Sequence, residues 1–424
     1  MGTVRSKITG WLARKYLARK QRNGFDLASM SFLPEAALMP LRRSGLDPVV
    51  ELREVREREP VSKIPLPFGM TAWLVSGYDE AKQVLGKATG FSNDFSNLIG
   101  SGFSAEQNPG GLGFADPPVH TRLRKLLTPE FTMRRLSRLT PRIQAIVDGQ
   151  LDMMAEQQGD VVDLVGSFAL PIPSLSICEL LGVPYADRAE FQRLSMTRFD
   201  LFGGTGASLD AISESLSYLR EVVAKQRKSP GDGLLGMLVA EHGDAIDDEE
   251  LAGLADGLLT GGLETTASML ALGAITLLRD PHWFRVLGSE DESITPFVEE
   301  LLRYLTVVQV AFPRFAREEI EVGDVTIASG DIVICSLSGA NRDASLGAGI
   351  EQFDPTRAPS GHLAFGYGIH RCVGAELARM ELRVAYPSLV RRFPRMSLAV
   401  DAQDLDYRKL SIVYGVESLP VALG

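Results

Sequence analysis

The spacing of hydrophobic residues predicts a protein built mainly from helices. Between about residues 118 and 305, apolar side chains recur every three or four positions, which is typical of helices with one buried face. Before that region, over about residues 33–95, short helical patterns alternate with strand-like pieces such as residues 72–75. We therefore expect a helical body that is preceded by a smaller mixed region.

The last quarter of the chain follows a different pattern. Short alternating segments at residues 320–327 and 331–336 predict strands. A helix is expected over about residues 374–392, and two strand-like pieces close the chain. Together with the helical body, these segments predict a mainly α fold with small β-sheets.

One predicted helix is much longer than the others. Four consecutive acidic residues, 247–250, suit a helix N-terminus because carboxylates cap and charge it favourably. The helix can continue to Arg279, where Asp280 and Pro281 stop it. At about 1.5 Å per residue it would measure about 48 Å, and its apolar composition indicates a helix that runs through the core.

The middle of this helix, residues 261–267, reads GGLETTA. Two glycines cost a helix about 1 kcal/mol each, so they indicate either close helix packing or a flat group against the backbone. Thr265 lies four residues after Gly261, so its hydroxyl can bond the Gly261 carbonyl and open a small notch. Glu264 is an ionisable residue in an apolar helix, which is costly unless it has a function.

Charge and cysteine content limit the class of protein. The net charge of −10 argues against a general nucleic-acid binder. Three cysteines lie far apart without a CxxC pair, which argues against a disulfide framework and fits a reducing cytoplasm. The N-terminus lacks the apolar core of a signal peptide, and Glu264 interrupts the longest apolar run, residues 258–278, so we expect a buried helix and not a membrane span.

Residues 1–33 form a basic extension before a single expected domain, residues 34–424. The first 22 residues contain seven basic side chains and no acid. Three interpretations stay open: an amphipathic helix on an anionic membrane surface, an adaptor for an acidic redox partner, or a disordered basic tail. The expected location is cytoplasmic, with peripheral membrane contact as the alternative.

The stretch FGYGIHRCVG, residues 365–374, places three glycines around Cys372. Glycine lets the backbone adopt positive φ or approach another group closely. A helix is expected just after the cysteine, and its N-terminal N–H groups and dipole would stabilise a thiolate. A lone thiolate in a glycine-lined loop suits an axial bond to a planar metallocofactor, whereas zinc would need three more ligands near Cys372 and only His370 is close.

Residues 365–379, FGYGIHRCVGAELAR, resemble the haem-binding loop and following helix of the cytochrome P450 superfamily. The likeness extends over roughly residues 40–424, in the style of soluble actinobacterial members. Four further segments resemble the family in the expected order: DPPVHTRLR at 116–124, GGLETT at 261–266, EELLR with Glu300 and Arg303, and FDPTR at 353–357.

This resemblance implies a P450 fold, a triangular prism with the long central helix over haem b (iron protoporphyrin IX). It implies that Cys372 binds the iron and that Glu264 and Thr265 form the acid–alcohol pair for dioxygen activation. Glu300 and Arg303, with Arg357, would be a structural set. The remaining implied cofactor contacts are His120, Arg124, Gly261, Arg314, Phe365, Gly366, His370 and Gly374. The implied substrate pocket includes the 93–113 loop, residues 199–207, Leu258, Leu259, Val308, Val310 and Ser411.

The resemblance also implies an activity: a monooxygenase that inserts one oxygen atom from O₂ into a hydrophobic small molecule, such as a terpenoid, steroid, fatty acyl chain or polyketide. Electrons would come from a ferredoxin or flavodoxin with an NAD(P)H-dependent reductase, docking near Arg122, Lys125 and Arg371. Two alternatives stay open: peroxygenase or nitric-oxide-reductase chemistry on the same fold, and a non-enzymatic haem-based ligand binder or sensor.

Overall fold

A computed structural model describes residues 34–66, 69–94, 111–184, 187–197 and 209–424. The predictions for residues 1–33, for most of the 93–113 loop and for residues 199–207 fall outside these ranges. In the described residues the α-helices are α1 (Glu35–Leu38), α2 (Val50–Arg58), α3 (Tyr78–Gly86), α4 (Val119–Leu127), α5 (Met133–Leu136), α6 (Thr140–Ala155), α7 (Pro171–Leu181), α8 (Arg188–Thr197), α9 (Leu209–Lys228), α10 (Leu234–His242), α11 (Asp248–Leu278), α12 (Pro281–Ser289), α13 (Ile294–Leu305), α14 (Leu337–Ala340) and α15 (Ala375–Arg392).

The strands are short and form small sheets, which confirms the predicted fold class. They are β1 (Arg43–Ser44), β2 (Asp47–Pro48), β3 (Val61–Pro65), β4 (Thr71–Val75), β5 (Phe91–Ser92), β6 (Val161–Asp163), β7 (Arg314–Ala316), β8 (Ile320–Val322), β9 (Val325–Ile327), β10 (Ile332–Cys335), β11 (Ser397–Leu398) and β12 (Pro420–Ala422). The largest sheet has the order β3-β4-β10-β7-β5, with β4 and β10 parallel and its other pairs antiparallel. A three-stranded sheet has the order β11-β12-β6, and β1–β2 and β8–β9 are hairpins.

The long helix expected from the sequence is α11. Its N-terminus carries a capping box, in which the Asp247 carboxylate accepts from the Glu250 N–H at 2.7 Å and the Glu250 carboxylate accepts from the Asp247 N–H at 3.3 Å. The helix is long and apolar enough to cross a membrane, but 72% of its most apolar window is buried inside the protein. It is therefore a core helix, as its composition predicted.

Two helices that contain segments similar to the P450 superfamily, α11 and α15, pack directly against each other. Gly273 makes this close approach possible, because a Cβ atom there would lie 1.9 Å from the Tyr386 hydroxyl oxygen. That hydroxyl donates to the Met269 carbonyl at 2.5 Å and so satisfies a polar group in a fully buried position. The relative position of residues 261–267 and the Cys372 loop is thus fixed by side-chain packing.

Asp116 connects the two stretches of chain that flank residues 95–110. Its carboxylate accepts from the Ser92 hydroxyl, from the Asn93 N–H at 3.0 Å and from Arg317 at 2.6 Å, and the Asn93 amide donates to the Gly113 carbonyl at 2.9 Å. Burial alone would raise the pKa of Asp116, but these donors outweigh it and hold the pKa below its usual range. We refer to these contacts as the Asp116 clamp.

Candidate active site

The loop before Cys372 depends on two glycines with left-handed backbone conformations. Gly366 has φ +67° and Gly368 has φ +74°. Gly368 also lies against the end of α3, since a Cβ atom there would be 2.3 Å from the Leu85 carbonyl oxygen. The Cys372 N–H donates to the Phe365 carbonyl at 2.9 Å and closes the loop. The loop therefore needs glycine at residue 368 for two independent reasons.

Alanine substitution separates these two reasons. Gly366→Ala introduces only left-handed strain, because no atom lies within 4 Å of its Cβ position. Gly368→Ala introduces the same strain and also a clash with a backbone atom. We expect Gly366→Ala to cost about 1 kcal/mol of unfolding free energy and Gly368→Ala clearly more. Urea unfolding of both variants checks this, and equal costs would contradict the close contact with Leu85.

The Cys372 thiol opens onto the site on one side and is surrounded by protein on the others. Burial raises the pKa of Cys372, while the Gly374 N–H and the guanidinium groups of Arg124, Arg371 and Arg379 act in the opposite direction. A Cβ atom at Gly374 would lie 4.0 Å from the sulfur, so glycine keeps that side open. These donors and cations suit a thiolate, and a bound metal ion would add the largest favourable charge.

Four basic side chains converge beside this loop. The rings of His120 and His370 lie 4.2 Å apart. Burial is the largest cause that lowers the pKa of His370, and the neighbouring charges of His120, Arg314 and Arg124 lower it further, to about 3. Within the described residues both ring nitrogens of the buried His120 lack a hydrogen-bond partner. Such a cluster demands anionic acceptors, and the two propionates of haem fit it in charge and number.

The two glycines at the middle of α11 have different roles. A Cβ atom at Gly262 would lie 3.0 Å from Ile177, so this glycine permits close packing with α7. Gly261 is exposed in the middle of a buried helix and has no atom within 4 Å of its Cβ position. The Thr265 hydroxyl donates to the Gly261 carbonyl at 2.7 Å, which confirms the predicted notch. The close-packing interpretation therefore holds for Gly262, and the backbone at Gly261 borders open space.

Glu264 lies in the interior, next to Thr265 in sequence. Its carboxylate accepts from Arg408 Nη1 at 3.0 Å, and the two side chains are 5% and 2% exposed. The sequence analysis did not identify Arg408, because no spacing or motif links residues 144 positions apart. Glu264 thus has a buried cationic partner in the C-terminal segment.

Glu300 and Arg303 form a buried bidentate pair, in which Arg303 Nε and Nη2 donate to the two oxygens of the Glu300 carboxylate at 2.8 Å and 2.7 Å. Arg303 also donates to the carbonyls of Asn341, Ile350 and Gln352 at 2.8, 2.9 and 3.0 Å. Each N–H group of this guanidinium therefore has a hydrogen-bond acceptor. The pair links α13 to the segment between α14 and the Cys372 loop.

Arg357 joins this set from the segment 353–357. Its Nε lies 3.7 Å from Glu300 Oε1, and its guanidinium donates to the carbonyls of Ala348 and Gly349 at 2.6 and 2.8 Å. The Asp354 N–H donates to Glu300 Oε1 at 2.9 Å. The three residues that the resemblance assigned to one structural set are thus in contact.

Glu299, the neighbour of Glu300, holds a second set that the sequence analysis missed. Its carboxylate accepts from Arg379 at 2.6 and 2.9 Å and lies 3.4 Å from Arg383 and 3.3 Å from His362. Arg379 in turn lies over the Phe365 ring, 4.7 Å from its centroid. Glu299 therefore connects α13, α15 and the start of the Cys372 loop.

The stabilising effect of Glu299 is expected to depend on pH. Burial would raise its pKa, but the hydrogen bonds from His362 and Arg379 outweigh burial and lower it to about 2. A carboxylate with a lowered pKa stabilises the fold above its unfolded-state pKa and loses that effect as the pH falls toward 2. Since a third of the side chain is exposed, Glu299→Gln should cost only about 1–2 kcal/mol at neutral pH.

Urea unfolding of Glu299→Gln between pH 8 and pH 3 measures this effect. We expect a constant destabilisation down to about pH 5 and a shrinking one below it. Glu51→Gln, on the exposed face of α2, is the control and should show no such trend. A destabilisation that grew as the solution became more acidic would contradict the assignment.

The predicted pocket residues do not all face open space. Leu258, Val308 and Val310 are partly buried, and the alternation of burial from residue 307 to 310 places the two valines on one side of the chain. Leu259 and Ser411 are fully buried, at 1% and 0% exposure, so they belong to the packed interior. Adjacent helix residues point about 100° apart, which explains why Leu258 and Leu259 differ.

A second buried acid near the site also escaped the sequence analysis. Glu381 lies on α15, and burial raises its pKa to about 8, although Ser176 and Thr266 act in the opposite direction. Thr266 is the residue after Thr265, so Glu381 faces the buried side of the same turn of α11. The sequence signal that could have identified Glu381 was the presence of an acidic residue within an otherwise amphipathic helix.

Comparison with known proteins agrees with this geometry. The model of the family described as Cytochrome P450 matches residues 67–229 and 207–413. The chain is 40% identical over 389 residues to Cytochrome P450 FAS1 of Rhodococcoides fascians, covering 90% of this chain and 97% of that protein. It is 39% identical over 388 residues to pentalenic acid synthase of Streptomyces avermitilis, covering 90% and 95%.

Solved structures give the same result. P450 StaH from the biosynthesis of the glycopeptide antibiotic A47934 superimposes with a TM-score of 0.83 at 40% identity, covering 91% of this chain and 99% of that one. OxyC, a P450 implicated in an oxidative C–C coupling during vancomycin biosynthesis, superimposes with a TM-score of 0.82 at 38% identity, covering 90% and 96%. The chain therefore belongs to the cytochrome P450 family, whose members are haem-containing monooxygenases.

Proposed function

We propose that this P450 uses O₂ to insert one oxygen atom into a hydrophobic small molecule of biosynthetic origin. The observation that carries the proposal is the turn of α11 at Gly261–Thr265, where a hydroxyl is held beside an open stretch of backbone. That turn belongs to a helix packed against α15, which directly follows the Cys372 loop. An acid and an alcohol in this place suit the delivery of protons to bound dioxygen.

The chain's own residues have the following roles in this proposal. Cys372 binds the haem iron through its thiolate, and the haem, when bound, supplies the oxidising chemistry, which thiolate donation favours. His120, Arg124, Arg314 and His370 bind the propionates. Phe365, Gly366 and Gly374 shape the loop around the sulfur, and Gly261 leaves open space beside α11. Glu264 and Thr265 hold and move the protons, with Thr265 acting at its Oγ.

The residues that we assign to the substrate pocket are apolar. Leu258, Val308 and Val310 would contribute aliphatic surface, and the nearby Phe114 and Phe312 rings lie 4.4 Å apart. Such a lining binds a substrate through apolar contact and gives few polar anchors. We therefore propose a terpenoid-like or polyketide-like substrate, or an apolar aromatic one.

We propose that the electrons come from a ferredoxin or flavodoxin with an NAD(P)H-dependent reductase, and that the protein works in the cytoplasm. The docking face would include Lys125 and Arg371, since Lys125 lines a cavity of about 440 Å³ together with His120, Arg124 and Ile369. Arg122 contributes less to this face than the sequence suggested, because its guanidinium is engaged by Glu250. A basic face suits an acidic partner protein.

An oxidative C–C coupling, without oxygen insertion, is the second candidate. Its support is the similarity to OxyC at 38% identity. Spectral titration separates the candidates: a library of terpenoids, polyketides and aromatic peptides is added to the ferric protein, and the compound that shifts the haem to high spin is turned over. The mass of the product then distinguishes the insertion of one oxygen atom from the loss of two hydrogen atoms.

The role of Thr265 is tested by Thr265→Ala. Without the hydroxyl, protons reach dioxygen without control, so we expect peroxide per NADPH consumed to rise several-fold while haem binding is kept. Thr276→Ala is the matched control, because Thr276 makes the same hydrogen bond four residues back, to Leu272 at 3.0 Å, at a buried position about three helical turns further along α11. Both assays use NADPH with a ferredoxin and its reductase.

Three results would contradict the proposal. Equal peroxide yields from Thr265→Ala and Thr276→Ala would remove Thr265 from proton handling. Turnover that needs added hydrogen peroxide and ignores NADPH with the redox partners would favour a peroxygenase. Tight ligand binding with no turnover under either condition would favour a ligand binder.

A further inference from the structure

Glu264 and Arg408 form an ion pair inside the protein, one residue from Thr265. Arg408 is held in place by its own backbone, whose N–H donates to the Gly415 carbonyl at 2.9 Å. The turn that contains both residues rests directly on α11, since a Cβ atom at Gly415 would lie 2.7 Å from Ser268 Oγ and 3.4 Å from Arg408 Cζ. Ser268 is one helical turn after Glu264, so the C-terminal turn covers this face of α11.

The ion pair continues toward the surface. Arg408 Nη2 donates to the Val416 carbonyl at 3.5 Å, and Arg408 Nε lies 3.5 Å from Glu417 Oε1. The side chains of Glu264 and Arg408 are buried, at 5% and 2% exposure, whereas the side chain of Glu417 is 42% exposed. Three charged groups thus lead from solvent to α11, and we call them the Glu417–Arg408–Glu264 chain.

Stability alone is a weak reason for such a chain. Removing two charges from water costs about as much as their attraction returns, so a buried pair contributes little net stability. Thr265 does not set the direction of Glu264 either, because neighbouring residues on a helix point about 100° apart and the Thr265 hydroxyl is bound to the Gly261 carbonyl. The partner that orients the Glu264 carboxylate is Arg408.

We propose that Arg408 is the positioning residue for proton delivery by Glu264, and that Glu417 marks where this route meets solvent. The inference rests on the proposed function, in which Glu264 and Thr265 handle protons. Arg408 holds the Glu264 carboxylate toward the C-terminal segment. Glu264 leaves Arg408 to take a proton from solvent on the Glu417 side, gives it up beside Thr265, and returns to Arg408 as a carboxylate.

The haem-containing protein is tested with dioxygen and NADPH, a plant-type ferredoxin and its reductase, without added substrate, in H₂O and in D₂O. NADPH oxidation per haem should fall about ten-fold in both Arg408→Gln and Glu264→Gln, with a larger solvent isotope effect. The double variant should be no slower than Glu264→Gln, because Arg408 acts through Glu264. Arg408→Lys should recover most of the rate, and Glu417→Gln should lose less than Arg408→Gln.

Arg56→Gln is the matched control. Arg56 is also buried, donates to the Gly339 carbonyl at 2.9 Å and pairs with the half-exposed Glu351 at 2.6 Å, but it lies on α2. We expect its rate and isotope effect to equal those of the wild type. A normal rate in Arg408→Gln with full haem content, or the same small change as in Arg56→Gln, would overturn the proposal.

Urea unfolding gives a second readout that does not depend on turnover. Arg408→Gln removes a cationic partner of the buried Glu264 carboxylate, so the unfolding midpoint should fall, and adding Glu264→Gln should restore part of the loss. No restoration would overturn the positioning role. A wild-type protein that binds haem but turns over no compound that shifts the haem to high spin would contradict the monooxygenase proposal, and the urea series would then decide separately whether Arg408 holds Glu264.

Discussion

Glu300→Ala is expected to yield a protein that unfolds easily and retains little haem. The substitution leaves the Arg303 guanidinium, at 2% exposure, without its carboxylate. Removal of one partner from a buried pair costs about 3–5 kcal/mol, because the remaining charge is desolvated and unpaired. The Asp354 N–H loses its acceptor as well, so the segment that leads to the Cys372 loop becomes loose. Urea unfolding and haem content per protein measure both effects.

The pair of Glu190 and Arg193 provides a matched control. It has the same spacing of three residues and the same shortest distance, 2.7 Å, but each side chain is 49% exposed. We expect Glu190→Ala to leave the unfolding midpoint unchanged, since exposed pairs contribute little. Normal haem content in Glu300→Ala would show that the pair is dispensable for the proximal side, and the structural assignment would then be wrong.

Cys372→Ser is expected to abolish the thiolate signature and the activity. Serine fits the loop, because the backbone bond from residue 372 to the Phe365 carbonyl is independent of the side chain. A hydroxyl is a much weaker donor to iron than a thiolate, so turnover should fall at least about 100-fold. The Soret band of the reduced carbon monoxide complex should move from about 450 nm to about 420 nm.

Cys335→Ala is the control for the loss of a cysteine. Cys335 is fully buried in β10, and burial raises its pKa to about 12, so it stays a neutral thiol. Its removal should lower stability and leave the carbon monoxide spectrum unchanged. If Cys372→Ser kept the band at about 450 nm, Cys372 could not be the iron ligand.

The sequence was informative wherever chemistry depends on local spacing. The hydrogen bond of Thr265 to Gly261 follows from four residues of helix, and the pairing of Glu300 with Arg303 follows from three. The capping box at Asp247 follows from the same kind of argument. In each case the backbone conformation alone brings the two groups together.

Contacts between distant segments could not be predicted in this way. Glu264 and Arg408 are 144 residues apart, and Glu299 and Arg379 are 80 apart. Their meeting depends on how α11, α13 and α15 pack, which hydrophobic periodicity does not specify. The same limit applies to Leu258 and Leu259, since a rotation of α11 by one residue changes which of the two leucines is buried.

The Asp116 clamp has a consequence for how residues 95–110 can change during evolution. Asn93, Gly113 and Asp116 bind one another on both sides of residues 95–110, so the ends of that segment are fixed independently of its sequence. The entropy of closing a loop grows only slowly with its length, so insertions and deletions there cost little stability. The segment can therefore be lengthened, shortened or exchanged while the contacts of Asp116 stay intact.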